Sequence, residues 1–289
     1  MKFAIQRCCS TSVFLKQYET STDAVLRKFG VEAIDIKEIG CCGYPLKNIN
    51  VKAFVLSSAR NLALAEKRRL DMMTFCNCCY GSLKHVEHLL QTDSGLASEI
   101  NAKLAKEKLV WQGRTEIKHL LHVLYEDIGP EAIRRQLVRR LAGPKIATHY
   151  GCHLLRPDNV VGFDNPFAPS KFDRLVELTG AVSLAWQHKL ECCGSPLWGV
   201  NDDLSAGITW KKLTSAGRAG ADFLCTACPF CQLQFDRVRR VAGLRADDPA
   251  HPPSILYTQL IGLCLGIGEK DLRLSANEIN CGKLFDYLT

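Results

Sequence analysis

Ten of the fifteen cysteines fall into one pattern that occurs twice. The first copy is Cys9, then Cys41-Cys42-Gly43, then Cys76-Asn77-Cys78-Cys79. The second is Cys152, then Cys192-Cys193-Gly194, then Cys228-Pro229-Phe230-Cys231. Corresponding cysteines stand 143, 151, 151, 152 and 152 residues apart, so the register is kept within one short indel. Clustered thiolates are ligands for soft metals, and two equivalent clusters imply chemistry that needs a pair of sites.

Mononuclear zinc is the first competitor. A structural zinc takes four ligands, usually as two close C-x-x-C pairs. Each copy here has one such pair, Cys76/Cys79 or Cys228/Cys231, and draws its other three cysteines from two distant segments. Adjacent side chains on an extended strand point oppositely, so two neighbouring thiolates reach one centre only across a sharply turned backbone. Gly43 and Gly194 supply the freedom for that turn. Adjacent thiolates suit a multi-iron cluster, in which each can address a different iron. Five ligands per copy exceed the four of an ordinary cubane. Either one cysteine per copy is a spectator, or the cluster is not a cubane.

Cys8, Cys78, Cys225, Cys264 and Cys281 have no counterpart in the other copy and read as small buried apolar thiols. Cys8 and Cys78 adjoin proposed ligands and are possible substitutes for them. His153 follows Cys152 and reads either as a proton or hydrogen-bond donor to a cluster sulfur or as a structural histidine. Lys189 precedes the second Cys-Cys-Gly and reads either as a charge beside the cluster or as a surface lysine. Asn77 and Pro229 read as local geometry. There is no glycine-rich phosphate loop, so no flavin or nucleotide is expected in this chain.

The elements that must position these cysteines alternate between strand and helix. In the first copy Lys2–Gln6 is a strand ending at Cys8-Cys9, and a helix follows from about Ser21 to Gly30. Residues 31–36 form a strand leading to Cys41. Val55, Ala59, Leu62 and Ala63 mark one face of the next helix. Residues 70–75 form the third strand, delivering Cys76 to Cys79. In the second copy strands at 145–150, 181–186 and 222–225 precede Cys152, Cys192 and Cys228. This order predicts an α/β fold of two related repeats, each a small parallel sheet with flanking helices. The cysteine loops would meet at the carboxyl ends of the strands, between the halves, where such sheets bind ligands.

The expected organisation is a first repeat at 1–92, a helical connector at 93–143, and a second repeat at 144–289 with a C-terminal helix and tail. The connector's clearest helix is 130–142, with Pro130 in its first turn and Ile133, Leu137, Val138 and Leu141 on one face. Arg134, Arg135, Arg139 and Arg140 occupy the other face, as a solvated surface or a docking one. Residues 257–265 read as a buried terminal helix.

Composition sets the compartment. With 47% hydrophobic and 23% charged residues, 289 residues are a soluble globular chain with room for two cores. No apolar run is long enough for a membrane span, and the N-terminus lacks a secretory apolar core. A cytoplasmic protein is expected, where clustered thiols are metal or redox groups rather than disulfides. The net charge of +7 suits an anionic substrate, an acidic partner or a solvated basic face. No nucleic-acid motif is present.

The repeated arrangement resembles the CCG cysteine-rich domain, and its tandem form resembles the B subunit of heterodisulfide reductase over nearly the whole chain. The intervening segments GCCGYPLKN, ARNLALAE, CCYGSLK, IKHLLHVL, HYGCHLLRP, LTGAVSLAW, CCGSPL, AGADFLCTACPFCQLQFD and LYTQLIGLCLG carry the likeness in order. The resemblance implies that Cys9, Cys41, Cys42, Cys76 and Cys79 hold one noncubane [4Fe–4S] cluster. It implies that Cys152, Cys192, Cys193, Cys228 and Cys231 hold another. It further implies a disulfide substrate lying between the clusters, each capturing one sulfur as the S–S bond breaks. A ferredoxin-like C subunit would supply electrons, drawn in turn from a flavoprotein A subunit.

The substrate implied in methanogens is the coenzyme M–coenzyme B heterodisulfide; in bacterial relatives it is another disulfide or a lipoyl sulfur. The sequence departs from the family at Cys8, which takes a place usually held by glycine, at Cys78, and at a slightly short interval from Cys42 to Cys76. Beyond Leu274 the tail matches nothing. CCG domains also occur in iron–sulfur subunits of lactate, glycolate, glycerol-3-phosphate and succinate oxidoreductases. Those often carry an added ferredoxin-like region, which is not expected here. A zinc-stabilised interaction module is the non-enzyme alternative.

Overall fold

The computed structural model describes residues 1–243 and 250–289. Two four-stranded parallel sheets are present. The first has the order β2-β1-β3-β4, from β1 (Lys2–Gln6), β2 (Glu32–Ile34), β3 (Asp71–Thr74) and β4 (Ile117–His119). The second repeats it as β6-β5-β7-β8, from β5 (Lys145–His149), β6 (Val182–Ser183), β7 (Phe223–Thr226) and β8 (Ser254–Leu256). The central strands are buried over almost their whole length, as parallel strands covered by helices on both faces must be. Their registers match between the halves: Phe3 pairs with Asp71, and Ile146 with Phe223. The α/β class and the two related repeats are therefore as the sequence implies.

Eight helices matter to the argument: α1 (Lys16–Lys28), α2 (Val51–Lys67), α3 (Asn77–Thr92), α4 (Ser94–Leu104), α5 (Pro130–Gln136), α6 (Lys171–Leu178), α7 (Asp202–Arg218) and α8 (Tyr257–Cys264). α1 starts at Lys16 rather than near Ser21. Its polar first turn hides Tyr18, which is fully buried against Phe75 with ring centroids 4.9 Å apart. α2 and α7 are counterparts of equal length. Each is capped by an asparagine side chain: Asn50 accepts from the Ala53 N–H and Asn201 from the Leu204 N–H, both at 3.0 Å.

The 93–143 segment is not wholly helical, because it contributes β4 to the first sheet. Its expected 130–142 helix ends at Gln136. Leu137 turns to extended geometry, and the arm beyond it finds tertiary partners for its backbone. Val138 and Arg139 N–H donate to the Cys264 carbonyl, Leu141 N–H to Thr179 and Ala142 N–H to Tyr287. With those donors satisfied, no helix is required. The four connector arginines are exposed.

α8 is buried from end to end but is not terminal. The chain continues past it, and Leu288 forms an antiparallel bridge with Leu141. α8 also joins the halves, since its Thr258 hydroxyl lies 2.7 Å from Ser21 of α1. One apolar core runs through both halves, and a smaller buried cluster beside it gathers the cysteines.

Candidate metal centres at the junction of the halves

Every cysteine loop leaves the carboxyl end of a strand. Cys8 and Cys9 follow β1, and Cys152 follows β5. Cys76 and Cys228 follow β3 and β7, and each occupies the cap position of the next helix, with Cys79 and Cys231 inside the first turn. Pro229 sits at the first helical position, where its missing N–H costs nothing. A helix N-terminus favours the thiolate, the form that binds metal.

The Cys-Cys-Gly turns are built alike. Gly43 and Gly194 have φ of +82° and +97°. A Cβ at Gly43 would lie 2.9 Å from the Phe54 carbonyl oxygen, and one at Gly194 2.7 Å from that of Ser205. Phe54 and Ser205 are equivalent residues of α2 and α7, so the glycines serve both the left-handed turn and the close approach to a helix. The helices hold the turns by hydroxyls. Ser58 donates to the Cys42 carbonyl at 2.5 Å and Thr209 to the Cys193 carbonyl at 3.1 Å. The Gly43 and Gly194 N–H groups each donate to the sulfur two residues back, at 3.4 Å.

In the first half the thiols of Cys9, Cys41, Cys42, Cys79 and Cys76 are neighbours in that order, each acting on the titration of the next. In the second half the order Cys152, Cys192, Cys193, Cys231, Cys228 repeats it. Cys41 is held well below the ordinary thiol range by the thiols of Cys42 and Cys9, and Cys192 by those of Cys152 and Cys193. Cys42 and Cys193, as donors to those neighbours, are pushed up. The structure thus brings together all ten cysteines that the sequence paired. The two rows of thiols meet where Cys76 and Cys78 contact Cys228.

The unpaired cysteines divide. Cys8 and Cys78 join the assembly: Cys8 Sγ lies with those of Cys76 and Cys79, and Cys78 with those of Cys76 and Cys228, each group within 4.8 Å. Cys225 completes a C-x2-C-x2-C spacing with Cys228 and Cys231 but lies on β7 in the apolar core, apart from them. Cys264 and Cys281 are also buried, bonded to the Thr179 and Ser254 carbonyls.

His153 Nδ1 stands 3.6 Å from both Cys78 and Cys152 Sγ, with the Tyr44 ring against it at 5.1 Å. Burial lowers its pKa, which disfavours the imidazolium form. These groups border a cleft between the halves, lined also by Phe230, Pro196, Cys192, Cys193 and Cys231. The Lys189 ammonium is bound to Asp173 at 2.5 Å and lies over the Tyr150 ring.

Lys212 is a buried lysine that the sequence reading did not single out. It is fully buried, donates to the Glu191 and His188 carbonyls just before the Cys-Cys-Gly turn, and stands 4.8 Å from the Trp186 ring centroid. Burial lowers its pKa to about 8, against the opposing pull of Cys193 and Cys231. His149 is a second residue the sequence did not single out. It is fully buried and lies within 4.8 Å of Cys193 and Cys231 Sγ. Aligning the copies by their register would have exposed both, as departures from Asn61 and Gln6.

The donor set fits iron–sulfur clusters better than single metal ions. Among the described residues the compact donor groups hold three atoms each, short of zinc's four, and Cys76 belongs to two of them. All fifteen cysteines are free thiols.

Comparison with known proteins agrees with this geometry. The CCG cysteine-rich domain model matches residues 3–84 and 146–236. The B subunit of the ferredoxin/F(420)H(2)-dependent CoB-CoM heterodisulfide reductase of Methanosarcina acetivorans is 33% identical over 283 residues, covering 96% of this chain and 94% of that one. The 8-methylmenaquinol:fumarate reductase membrane anchor subunit of Wolinella succinogenes is 31% identical over 284 residues, covering 98% and 99%. A solved structure of a hypothetical protein from Helicobacter pylori shares the fold, with a TM-score of 0.75 at 19% identity, over 98% of this chain and 52% of that one. Among the described residues no helix is long and apolar enough to cross a membrane. The chain belongs to the tandem CCG cysteine-rich family that includes the B subunits of heterodisulfide reductases.

Proposed function

We propose that this chain is the disulfide-handling iron–sulfur subunit of a heterodisulfide reductase or a heterodisulfide reductase-like complex. The reaction is cleavage of a disulfide with two electrons and two protons to give two thiols, or its reverse. Cys9, Cys41, Cys42, Cys76 and Cys79 hold one [4Fe–4S] cluster of noncubane type, and Cys152, Cys192, Cys193, Cys228 and Cys231 hold the other. The observation that carries this reading is the pair of five-thiol rows, alike in order of contact and abutting at Cys228. A disulfide has two sulfurs and needs two electrons, so two adjoining one-electron centres match it. When bound, the clusters supply electrons singly and iron that binds sulfur.

The chain's own residues prepare the cleft. Tyr44, Phe230 and Pro196 give it an apolar wall that displaces water. His153, between Cys78 and Cys152, donates a ring N–H toward a sulfur held there. Electrons arrive from a ferredoxin-like C subunit, which draws them from a flavoprotein A subunit. The substrate is the coenzyme M–coenzyme B heterodisulfide, as the Methanosarcina relatives' names suggest, or a bacterial disulfide or lipoyl carrier.

A second reading has one observation in its favour. The Wolinella relative belongs to a fumarate reductase and is similar over nearly all of both chains. On that reading the same clusters relay electrons within a quinol–dicarboxylate oxidoreductase and no disulfide is bound. Anaerobic purification with metal and sulfide analysis tests the common ground. About eight irons with equal sulfide are expected for two four-iron clusters, and two zincs without sulfide would overturn both readings. Candidate disulfides are then added to the oxidised protein. A new paramagnetic signal supports disulfide chemistry, and none with any disulfide supports the relay.

A further inference from the structure

The two thiol sets sit in equivalent loops, yet three equivalent positions around them differ, and the differences share one electrical sign. The first is the residue before the leading cysteine. Cys8 is buried, and its Sγ groups with those of Cys76 and Cys79. It also contacts Cys9, so it closes the first row of thiols into a ring. The second half has Gly151 there, with φ of +77°. A Cβ on Gly151 would stand 3.5 Å from Cys231 Sγ, the counterpart of Cys79, but 2.3 Å from Asn77 Nδ2. That amide is fixed by donating to the Tyr150 carbonyl at 2.7 Å. Position 151 therefore has no room for a sulfur, and the second row of thiols stays open.

The second difference lies beneath the Cys-Cys-Gly turns. In the first half Asn61 donates its side-chain N–H groups to the Gly40 and Cys41 carbonyls, at 3.0 and 3.1 Å. Its counterpart in α7 is Lys212, whose ammonium donates to the equivalent Glu191 carbonyl at 3.0 Å. A neutral amide supports one turn and a buried cation the other. Two carbonyl acceptors and the face of the Trp186 ring, 4.8 Å from Nζ, are the surroundings of an ammonium.

The third difference is at the strand ends. Gln6 donates to the Arg7 and Gly40 carbonyls, at 3.1 and 2.9 Å. Its counterpart His149 is fully buried and lies within 4.8 Å of Cys193 and Cys231 Sγ. The ring nitrogen that faces those sulfurs can carry a hydrogen toward them.

We propose that the two centres are inequivalent: the first takes Cys8 as a sixth thiolate, and the second, facing the Lys212 ammonium and the His149 ring, accepts the first electron. The inference rests on the iron–sulfur reading above. An added thiolate is negative charge that opposes a further electron. A buried cation and an N–H directed at sulfur favour one, because charge and hydrogen bonds to sulfur set cluster potentials. Each centre takes one electron from an external one-electron donor, the second-half centre first and the first-half centre after it.

The test is a potentiometric titration of the anaerobically purified protein with dithionite and mediator dyes, followed by EPR, with iron and sulfide counted on every sample. Two midpoints are expected in the unaltered chain. Lys212→Gln lowers the upper midpoint by about 59 mV or more, a tenfold change in the one-electron ratio, and leaves the lower one in place. Cys8→Gly, which gives the first half the residue of the second, raises the lower midpoint, leaves the upper one in place and retains iron. It carries the test alone if Lys212→Gln does not fold. A single shared midpoint, a variant that moves the other centre's midpoint, or variants that move neither would overturn the proposal with iron present. A sample of the unaltered chain without iron and sulfide would instead remove the reading on which it rests.

Discussion

The two halves present nearly the same thiols on the same scaffold and expose them differently. Cys9 and Cys41, the outer pair of the first set, are open to solvent, whereas Cys152 and Cys192 are half-covered. The cleft between the halves is walled mainly by the second half, with Tyr44, Asn77 and Cys78 as the contribution of the first. Turn, helix cap and hydroxyl tether repeat in both halves, because each is needed to bend two adjacent cysteines toward one centre. The residues that vary, Cys8 and Gly151, Asn61 and Lys212, Gln6 and His149, touch the thiols or the loops that carry them. The scaffold is held constant, and the difference lies in the charge and covering around it.

Removing one inner thiol from each half gives the largest expected effect. Cys193→Ser should halve the bound iron, from about eight to about four, and abolish disulfide turnover. Cys42→Ser should lose the other half of the iron. Full activity in Cys193→Ser would refute its assignment as a ligand. If either variant emptied both centres, the halves would not be separable sites.

Next in size is the turn itself. Gly194→Ala and Gly43→Ala each force a side chain into a left-handed backbone and against a helix carbonyl, at a cost of roughly 3 kcal/mol. Urea denaturation should show similar losses for the two, with Gly194→Ala the larger because its carbonyl is nearer. Equal stability to the parent would show that the turn can open.

Lys212 separates the halves by pH. Its folded pKa, near 8, lies below the unfolded lysine value of about 10.4. Between those values the unfolded chain holds a proton that the folded chain has released, so this residue makes stability rise with pH across that window. Lys212→Met should flatten that rise relative to the parent. An Asn61→Ala control in the first half should leave the pH dependence unchanged.

The smallest effect is expected at the hydroxyl tethers. Ser58→Ala and Thr209→Val each remove one donor to a cysteine carbonyl, worth about 1 kcal/mol. Thermal unfolding with both centres loaded should register each. A loss confined to one variant would mean that the other turn is held by different contacts.

Much of this was legible in the residues. The constant register of the thiols announced the duplication, and the alternation of apolar strands with amphipathic helices announced two parallel sheets. Gly43 and Gly194 could be assigned to sharp turns because adjacent cysteines cannot otherwise face one centre. The fourth strand of each sheet was not legible. Ile117–His119 and Ser254–Leu256 are three residues long, and each continues directly into a helix, so neither shows an alternating period of its own. The arm after Gln136 reads as helix by its apolar spacing, but carbonyls of Cys264, Thr179 and Tyr287 take its donors. Lys189 and Lys212 are equally plain as letters, and burial alone distinguishes the ion pair on Asp173 from the cation under the second turn.

Sequence by itself determined which side chains could bind metal, that they fall into two equivalent sets, and which glycines must turn. These follow from residue type and spacing, which are local and covalent. Only the tertiary structure decided that Cys8 completes a ring of thiols that Gly151 leaves open, and that a buried lysine and histidine adjoin one thiol set but not the other. Those facts depend on which surfaces pack together across well over a hundred residues of chain. Contact and burial, which set charge at a distance, are properties of the folded assembly.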